Sequence, residues 1–411
     1  MQTVVVTGAA GSTGSRVCAL LAADDHIDQI IALDVNARRK NAVDVGAHKV
    51  IDHRVDLRRA DLKPLIEHAD TVVHLASSFD PRNDGVDTAH VDIDATKRLL
   101  EAASGVGVTR LIVLSSAMVY GARDTNPMPI TEDHPVRPNP EFSFAVVKAE
   151  VERLAREWGA AHPGSEVVVL RPATALAEGE ASWVARSLRS AALIEVDGQD
   201  PPVQFVHLDD LASAVALAAH GGMHGAYNVA PDGSVDGEAC RELSGRVPRV
   251  RLPEETAEEV GRFRWRHRLA PTPPGITPYT MYPWVVANDR LRRAGWDPTF
   301  TNEQAYVDGT PPKPWATMNA KRRQNLALGA AAVLVVASLL GLGGLVRRLR
   351  SRPCSHRRRV SGGVVRSALV RRLRARPCSH RRRVSGGVVR SALVRRLRAR
   401  PCSHRRRVSG G

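Results

Sequence analysis

Short apolar runs alternate with helical patterns through the first 170 residues. "QTVVVTG", "QIIALDV", "TVVHLAS", "RLIVLSS" and "EVVVLRP" are strand-length and rich in β-branched residues, and "HKVIDHRVDL" is a weaker run of the same kind. Between most of them apolar positions recur at helical spacing, near residues 14–23, 87–103 and 144–160. Continuous apolar strands separated by helices predict α/β class, a doubly wound parallel sheet covered on both faces. Past Arg171-Pro172 the pattern loosens into shorter elements and proline-rich loops such as "RLAPTPPGITPY". The expected layout is a first domain over 1–170 and a smaller, interleaved C-terminal subdomain over 171–314.

A different pattern follows. Residues 326–346, "LALGAAAVLVVASLLGLGGLV", hold 21 positions without a charge, long enough to span a hydrocarbon core as a helix. Residues 347–411 contain two identical copies of "VVRSALVRRLRARPCSHRRRVSGG" and read as a disordered, arginine-rich tail. They hold too few apolar residues to stack into a core.

The tail changes the meaning of the net charge. It carries 23 arginines and no acid, so a chain total of +16 leaves residues 1–346 at −7. A nucleic-acid role for the body has no electrostatic support; the tail's arginines suit anionic lipid instead. Five scattered cysteines make no disulfide framework, and the Cys-Ser-His repeats match no common zinc spacing, so no metal is expected. Met1 leads straight into a strand, which predicts a body kept in the cytoplasm and anchored to the membrane by 326–346. Basic residues flank that segment on both sides, with seven arginines from Arg347 to Arg359. They pull the tail toward the cytoplasm as well and leave its topology open.

The candidate chemistry begins at "VVVTGAAGSTGSRV". Gly8, Gly11 and Gly14 sit between a strand and a helix. That placement suits a tight turn, close backbone approach to a pyrophosphate and close helix–strand packing, the elements of a Rossmann-type dinucleotide site. Asp34 ends "IIALD", where a carboxylate binds ribose hydroxyls and repels a 2′-phosphate, favouring NAD. Arg38 and Arg39 keep NADP open.

With these motifs the chain resembles the extended short-chain dehydrogenase/reductases, the NAD-dependent epimerase/dehydratase group, from about residue 2 to 310. "TGAAGSTG" (residues 7–14) is similar to its cofactor loop, and Asp56 in "VDLR" to the residue at the adenine edge. "HLAS" (74–77), with Ala76, resembles the strand end lining the cofactor. "LSSAMVYG" (114–121) resembles the strand end that carries the catalytic serine, here Ser116. "LRPA" (170–173), "FVHLDDLASAV" (205–215) and "YNVA" (227–230) match later landmarks. Asp209 or Asp210 also reads as a helix cap, and His207 as a structural histidine. The resemblance implies bound NAD, Lys148 on the nicotinamide ribose, and a small-molecule substrate such as a nucleotide sugar or a sterol-like alcohol. A homodimer stays open.

One position departs from the pattern. The family's chemistry needs a tyrosine four residues before its lysine, so that the phenol exchanges a proton with the substrate hydroxyl as hydride moves. Four before Lys148 stands Phe144, and residues 141–143 are Glu, Phe and Ser. The expected catalytic set is therefore Ser116 and Lys148 with an altered or degenerate acid/base. Glu141, Ser143 and Tyr120 are open as substitutes. The alternative is a catalytically impaired, membrane-tethered NAD-binding sensor or scaffold.

Overall fold

The computed structural model describes residues 2–37, 46–78, 86–177, 183–196, 199–243, 249–273 and 275–310, with a few positions between 319 and 328. Residues 1–325 form one compact unit. Apart from Leu328, the apolar run 326–346 lies outside the described residues, as do Arg38, Arg39 and the repeat tail. No helix among the described residues is long and apolar enough to cross a membrane.

Eleven strands are described: β1 (Gln2–Thr7), β2 (Ile27–Asp34), β3 (Val50–Arg54), β4 (Thr71–His74), β5 (Arg110–Leu114), β6 (Glu166–Pro172), β7 (Thr174–Leu176), β8 (Ile194–Val196), β9 (Phe205–His207), β10 (Gly225–Val229) and β11 (Val250–Leu252). Seven of them form one sheet in the order β10-β6-β5-β4-β1-β2-β3. Every pairing in that sheet is parallel. The order reverses beside β1, between β2 and β4, so a crevice opens at the carboxyl ends of β1 and β4, where such sheets bind ligands.

Helices α1 (Ser12–Ala22), α2 (Val86–Val106), α3 (Ser143–Ala161), α4 (Trp183–Ala191) and α5 (Leu208–Ala219) matter most for the site. The sheet packs a core on each face. On one side α1 and α5 bury Val17, Leu21, Leu211 and Val215 against Val4, Val6 and Ile30. On the other, α2 and α3 bury Leu99, Ala103, Val151 and Trp158 against Val5, Val72 and Val169. The inner strands β1, β2 and β4–β6 therefore have no polar face, which is why they read as unbroken apolar runs; β3, at the sheet edge, is largely exposed and polar. Each fully buried aliphatic side chain stabilises the fold by roughly 1.5–3 kcal/mol.

Past β6 the chain interleaves. β10 and α5 return to the main sheet, while β7–β9 and β8–β11 make two small parallel pairs beside it. A third core joins Phe142, Tyr279, Trp284 and Ile276 to Met118 and Tyr120. It closes one side of the crevice.

Candidate active site

The loop after β1 turns on Gly8, whose φ of +72° lies in the left-handed region. A side chain there would be strained, and its Cβ would come within 2.8 Å of the Ala76 nitrogen. At Gly14 a Cβ would meet the Gly8 oxygen at 2.1 Å, so only glycine lets α1 start this close to β1. Gly11 is the N-cap of α1, and no side chain caps the helix. Its first-turn amides border the crevice as donors for an anion. At the end of β2, Asp34 accepts from the Ala10 and Asn36 amides, which ties the carboxylate to the loop.

Facing the loop are β4, β5 and α3. Thr7, His74 and Thr96 form a buried chain, with the His74 ring bonded to Thr7 Oγ1 at 2.8 Å and Thr96 Oγ1 at 3.0 Å. Burial and the nearby Lys148 charge push the imidazole down to about 4, outweighing the pull of Asp92, so it is neutral at pH 7. Asp92 accepts from the hydroxyls of Ser77 and Ser78 and from the Ser78 amide. Ser116 caps the turn Ala117–Tyr120 through a bond from the Met118 amide to its Oγ.

Helix α3 presents Phe144, Lys148 and Glu152 four residues apart, on one face. The Lys148 amine is buried and donates to the Leu114 carbonyl at 3.0 Å. Burial lowers its pKa from the ordinary lysine value, while the charges of Asp92 and Glu152 pull it back up. Glu152 is fully buried and paired with Arg171, whose Nε and Nη2 donate to its two oxygens at 3.0 and 2.8 Å. Burial by itself would lower the Arg171 guanidinium; the bonds and charge of Glu152 outweigh it and hold it above its usual value. The pair reaches the active segment at two points. Ser115 donates to Glu152 at 2.5 Å, and Arg171 donates to the Tyr120 hydroxyl at 2.7 Å.

Gly8, Gly11, Gly14, Ser116, Phe144 and Lys148 line one cleft of about 500 Å³. The structure thus brings together residues from both ends of the motif series. Asp34 and Asp56 do not line it; Asp56 pairs with Arg58 at the surface. Ala76 lies behind the loop with its amide bonded to Thr7 Oγ1, while its neighbours Leu75 and Ser77 line the cleft. Of the three substitute proton donors, none borders it. Tyr120 donates inward to Asn228, and burial raises its pKa to about 12. Glu141 borders a separate hollow beside Gly261 and Thr272. His207 is structural: its Nδ1 accepts the Asp209 amide and its ring stacks on Phe300. Asp209 pairs with Arg16, and Asp210 holds the Thr299 and Phe300 amides, so neither carboxylate caps α5.

Several residues of the site escaped the sequence reading. Trp183 stands edge-on to Phe144 at 5.1 Å, and Trp284 and Thr174 close the far side. Beyond them lies a second, largely apolar pocket of about 300 Å³ that shares Thr174 and Trp284 with the cleft. Its walls include Phe205, Tyr306, Leu176 and Arg189. Arg189 donates only weakly, at 3.4 Å, to two carbonyls, and among the described residues it has no ion pair. Thr174 Oγ1 is buried without a hydrogen-bond partner. Glu152 had a readable signal, an acid repeating the Phe144–Lys148 spacing on an apolar helix face.

Fold and cleft define a dinucleotide-binding α/β domain of the short-chain dehydrogenase type. The sequence profile of the NAD dependent epimerase/dehydratase family matches residues 4–230, more than half of the chain, and the chain belongs to that family. An uncharacterised protein of Mycobacterium tuberculosis is 26% identical over 314 residues, 75% of this chain and 83% of that one. A UDP-glucose 4-epimerase of Azospirillum brasilense is 28% identical over 329 residues, covering 72% and 87%. Among solved structures, UDP-glucose 4-epimerase of Thermus thermophilus in complex with NAD superposes with a TM-score of 0.55 at 25% identity, over 75% of this chain and 97% of that one.

Proposed function

We propose that this chain is an NAD-binding oxidoreductase of the epimerase/dehydratase type, acting on a nucleotide sugar, with an altered acid/base site in which Phe144 stands at the family's tyrosine position. One observation carries the reading. The uncapped start of α1, Ser116 and the buried Lys148 amine converge on a single cleft. The residues fit a dinucleotide. Gly8, Gly11 and the first-turn amides of α1 would hold its pyrophosphate, and Asp34 an adenosine ribose. Lys148 would hold the nicotinamide ribose. Asp56 and Ala76 would flank the adenine side. Asp34's negative charge favours NAD over NADP. The cofactor would supply a hydride acceptor; Ser116 would orient the substrate oxygen.

The adjoining pocket supports the nucleotide sugar over a sterol-like alcohol. Phe205 and Tyr306, with ring centroids 4.8 Å apart, offer flat walls for a base. Arg189 offers a half-buried guanidinium for phosphate. The Thermus and Azospirillum relatives are named as UDP-glucose 4-epimerases, in keeping with this class.

A binding module without turnover is the second reading. It is favoured by the absence of any tyrosine among the described residues that line the cleft. Calorimetric titration of residues 1–325 with NAD⁺ tests both readings, and no binding would sink both. Phe144→Tyr then separates them with UDP-glucose as probe. A gain of about 10²–10⁴-fold in reduced nicotinamide marks a cleft that lacks only its phenol. No turnover in either form favours the binding module.

We also propose that residues 326–346 tether this domain to a membrane from the cytoplasmic side, with the arginine-rich tail on anionic lipid. The uncharged length and its basic flanks support this. A chain lacking residues 326–411 should leave the membrane fraction; its continued sedimentation would remove the anchor.

A further inference from the structure

Lys148 is the one titratable side chain among the described residues that line the cofactor cleft. Four of the five tyrosine hydroxyls are engaged elsewhere. Tyr120 bonds to Asn228 and Arg171, Tyr279 to the Met118 carbonyl, Tyr227 to the His224 amide and Tyr282 to Glu254. The fifth, Tyr306, packs on Phe205 in the neighbouring pocket. The nearest carboxylates are also committed. Arg171 holds both oxygens of Glu152, and Ser77 and Ser78 hold those of Asp92. Both ring nitrogens of His74 are bonded to threonines.

We propose that Lys148 is itself the proton-transfer residue of this cleft, its amine doing the work of the missing phenol. The inference rests on the oxidoreductase reading. In the oxidative direction the substrate O–H bond breaks and its proton joins the neutral amine, making an ammonium. The carbinol hydrogen leaves with its electron pair to the nicotinamide oxidant, and the C–O bond becomes a carbonyl. In the reverse direction the ammonium returns the proton to the alkoxide oxygen.

The surroundings suit that role. One N–H of Lys148 is fixed on the Leu114 carbonyl, which orients the amine without neutralising it. The Phe144 ring, 6.0 Å away, covers the amine and has no proton to exchange. Burial favours the neutral amine. The groups facing it are Asp92 from α2, Glu152 from α3 and His74 from β4, with Arg171 beyond Glu152. Two acids keep the ammonium accessible and burial keeps it from being permanent, the balance a general acid/base requires.

The test uses the full chain with ¹³C-labelled lysine, titrated by NMR with NAD⁺ bound; the Lys148 signal is identified by its loss in Lys148→Arg. Its midpoint should fall clearly below those of the exposed lysines. The arginine variant keeps the charge and the donor but holds its proton through neutral pH. Its NAD⁺ affinity is measured alongside, because in this reading Lys148 also holds the nicotinamide ribose, and rates are compared at saturating NAD⁺. With UDP-glucose as probe the variant should form reduced nicotinamide about 10²–10⁴ times more slowly. A Lys148 midpoint level with the exposed lysines overturns the proposal, and so does an arginine variant as fast as the native chain. Loss of rate in Asp92→Asn with the rate of Lys148→Arg intact would move the role to Asp92 through Ser77. A native chain that binds no NAD⁺ removes the oxidoreductase reading instead, so the two failures are distinguishable.

Discussion

The two walls of the cleft are made in different ways. The glycine wall, from Thr7 to Gly14, is backbone. Its shape follows from one left-handed glycine, two contacts too close for a Cβ, and a helix start without a side-chain cap. The α3 wall is side chains gathered from distant segments. Phe144 meets Trp183, Phe142 meets Tyr279, and Tyr279 meets Trp284. Behind them the Glu152–Arg171 pair joins α3 to β6. The first wall tolerates almost no change of residue and asks little of the rest of the chain. The second is held by partners from distant segments, so its shape depends on packing rather than on local backbone geometry.

The largest expected effect comes from breaking the second wall. Arg171→Met leaves the fully buried Glu152 carboxylate with only the half-exposed Arg156 and the Ser115 hydroxyl as partners and should cost up to about 3–5 kcal/mol in denaturant unfolding, whereas adding Glu152→Leu should recover most of that loss. A double variant as unstable as the single would show that packing, not charge pairing, holds α3.

Acid probes the strut behind the glycine wall. His74 sits at about 4 in the fold against 6.5 in an open chain, so above pH 6.5 it has no effect on stability. Below that the unfolded chain takes up the proton first. The loss should grow as pH falls and reach roughly 3 kcal/mol near pH 4. His74→Gln should flatten this part of the pH–stability curve. An unchanged curve would mean that other groups carry the acid sensitivity.

Gly8→Ala tests the first wall directly. Its strained φ and the Ala76 contact predict a loss of about 1–3 kcal/mol, with NAD⁺ affinity falling further than stability does. The smallest effect should come from the solvent side of α3. Arg153 bonds to Glu150 and Glu157 in the open, and Arg153→Ala should leave the thermal midpoint unmoved within error.

Much of the first wall was legible in advance. Gly8, Gly11 and Gly14 shape the loop, and Asp34, outside the cleft, is tied to it through the Ala10 amide; a turn, a helix start and a strand end are local features, so spacing along the chain pointed to them. The parallel sheet was legible for a similar reason: strands buried on both faces have no polar alternation, and β1, β2 and β4–β6 show it. The Phe144–Lys148 spacing also followed from helix periodicity.

What the sequence could not supply was decided by long-range contact. Ser116 and Tyr120 are neighbours in the chain, yet one lines the cleft and the other turns inward to Asn228 and Arg171. Asp209 and Asp210 are adjacent, yet one meets Arg16 and the other holds the bend at Thr299 and Phe300. Trp183, Thr174 and Trp284 carry no motif at all and join the site because interleaved segments bring them there. Residue type and period determine which elements form and which face is buried. Which proton-bearing group meets the cleft depends on packing between elements far apart in the chain, and by that packing Lys148 stands alone there among the described titratable side chains.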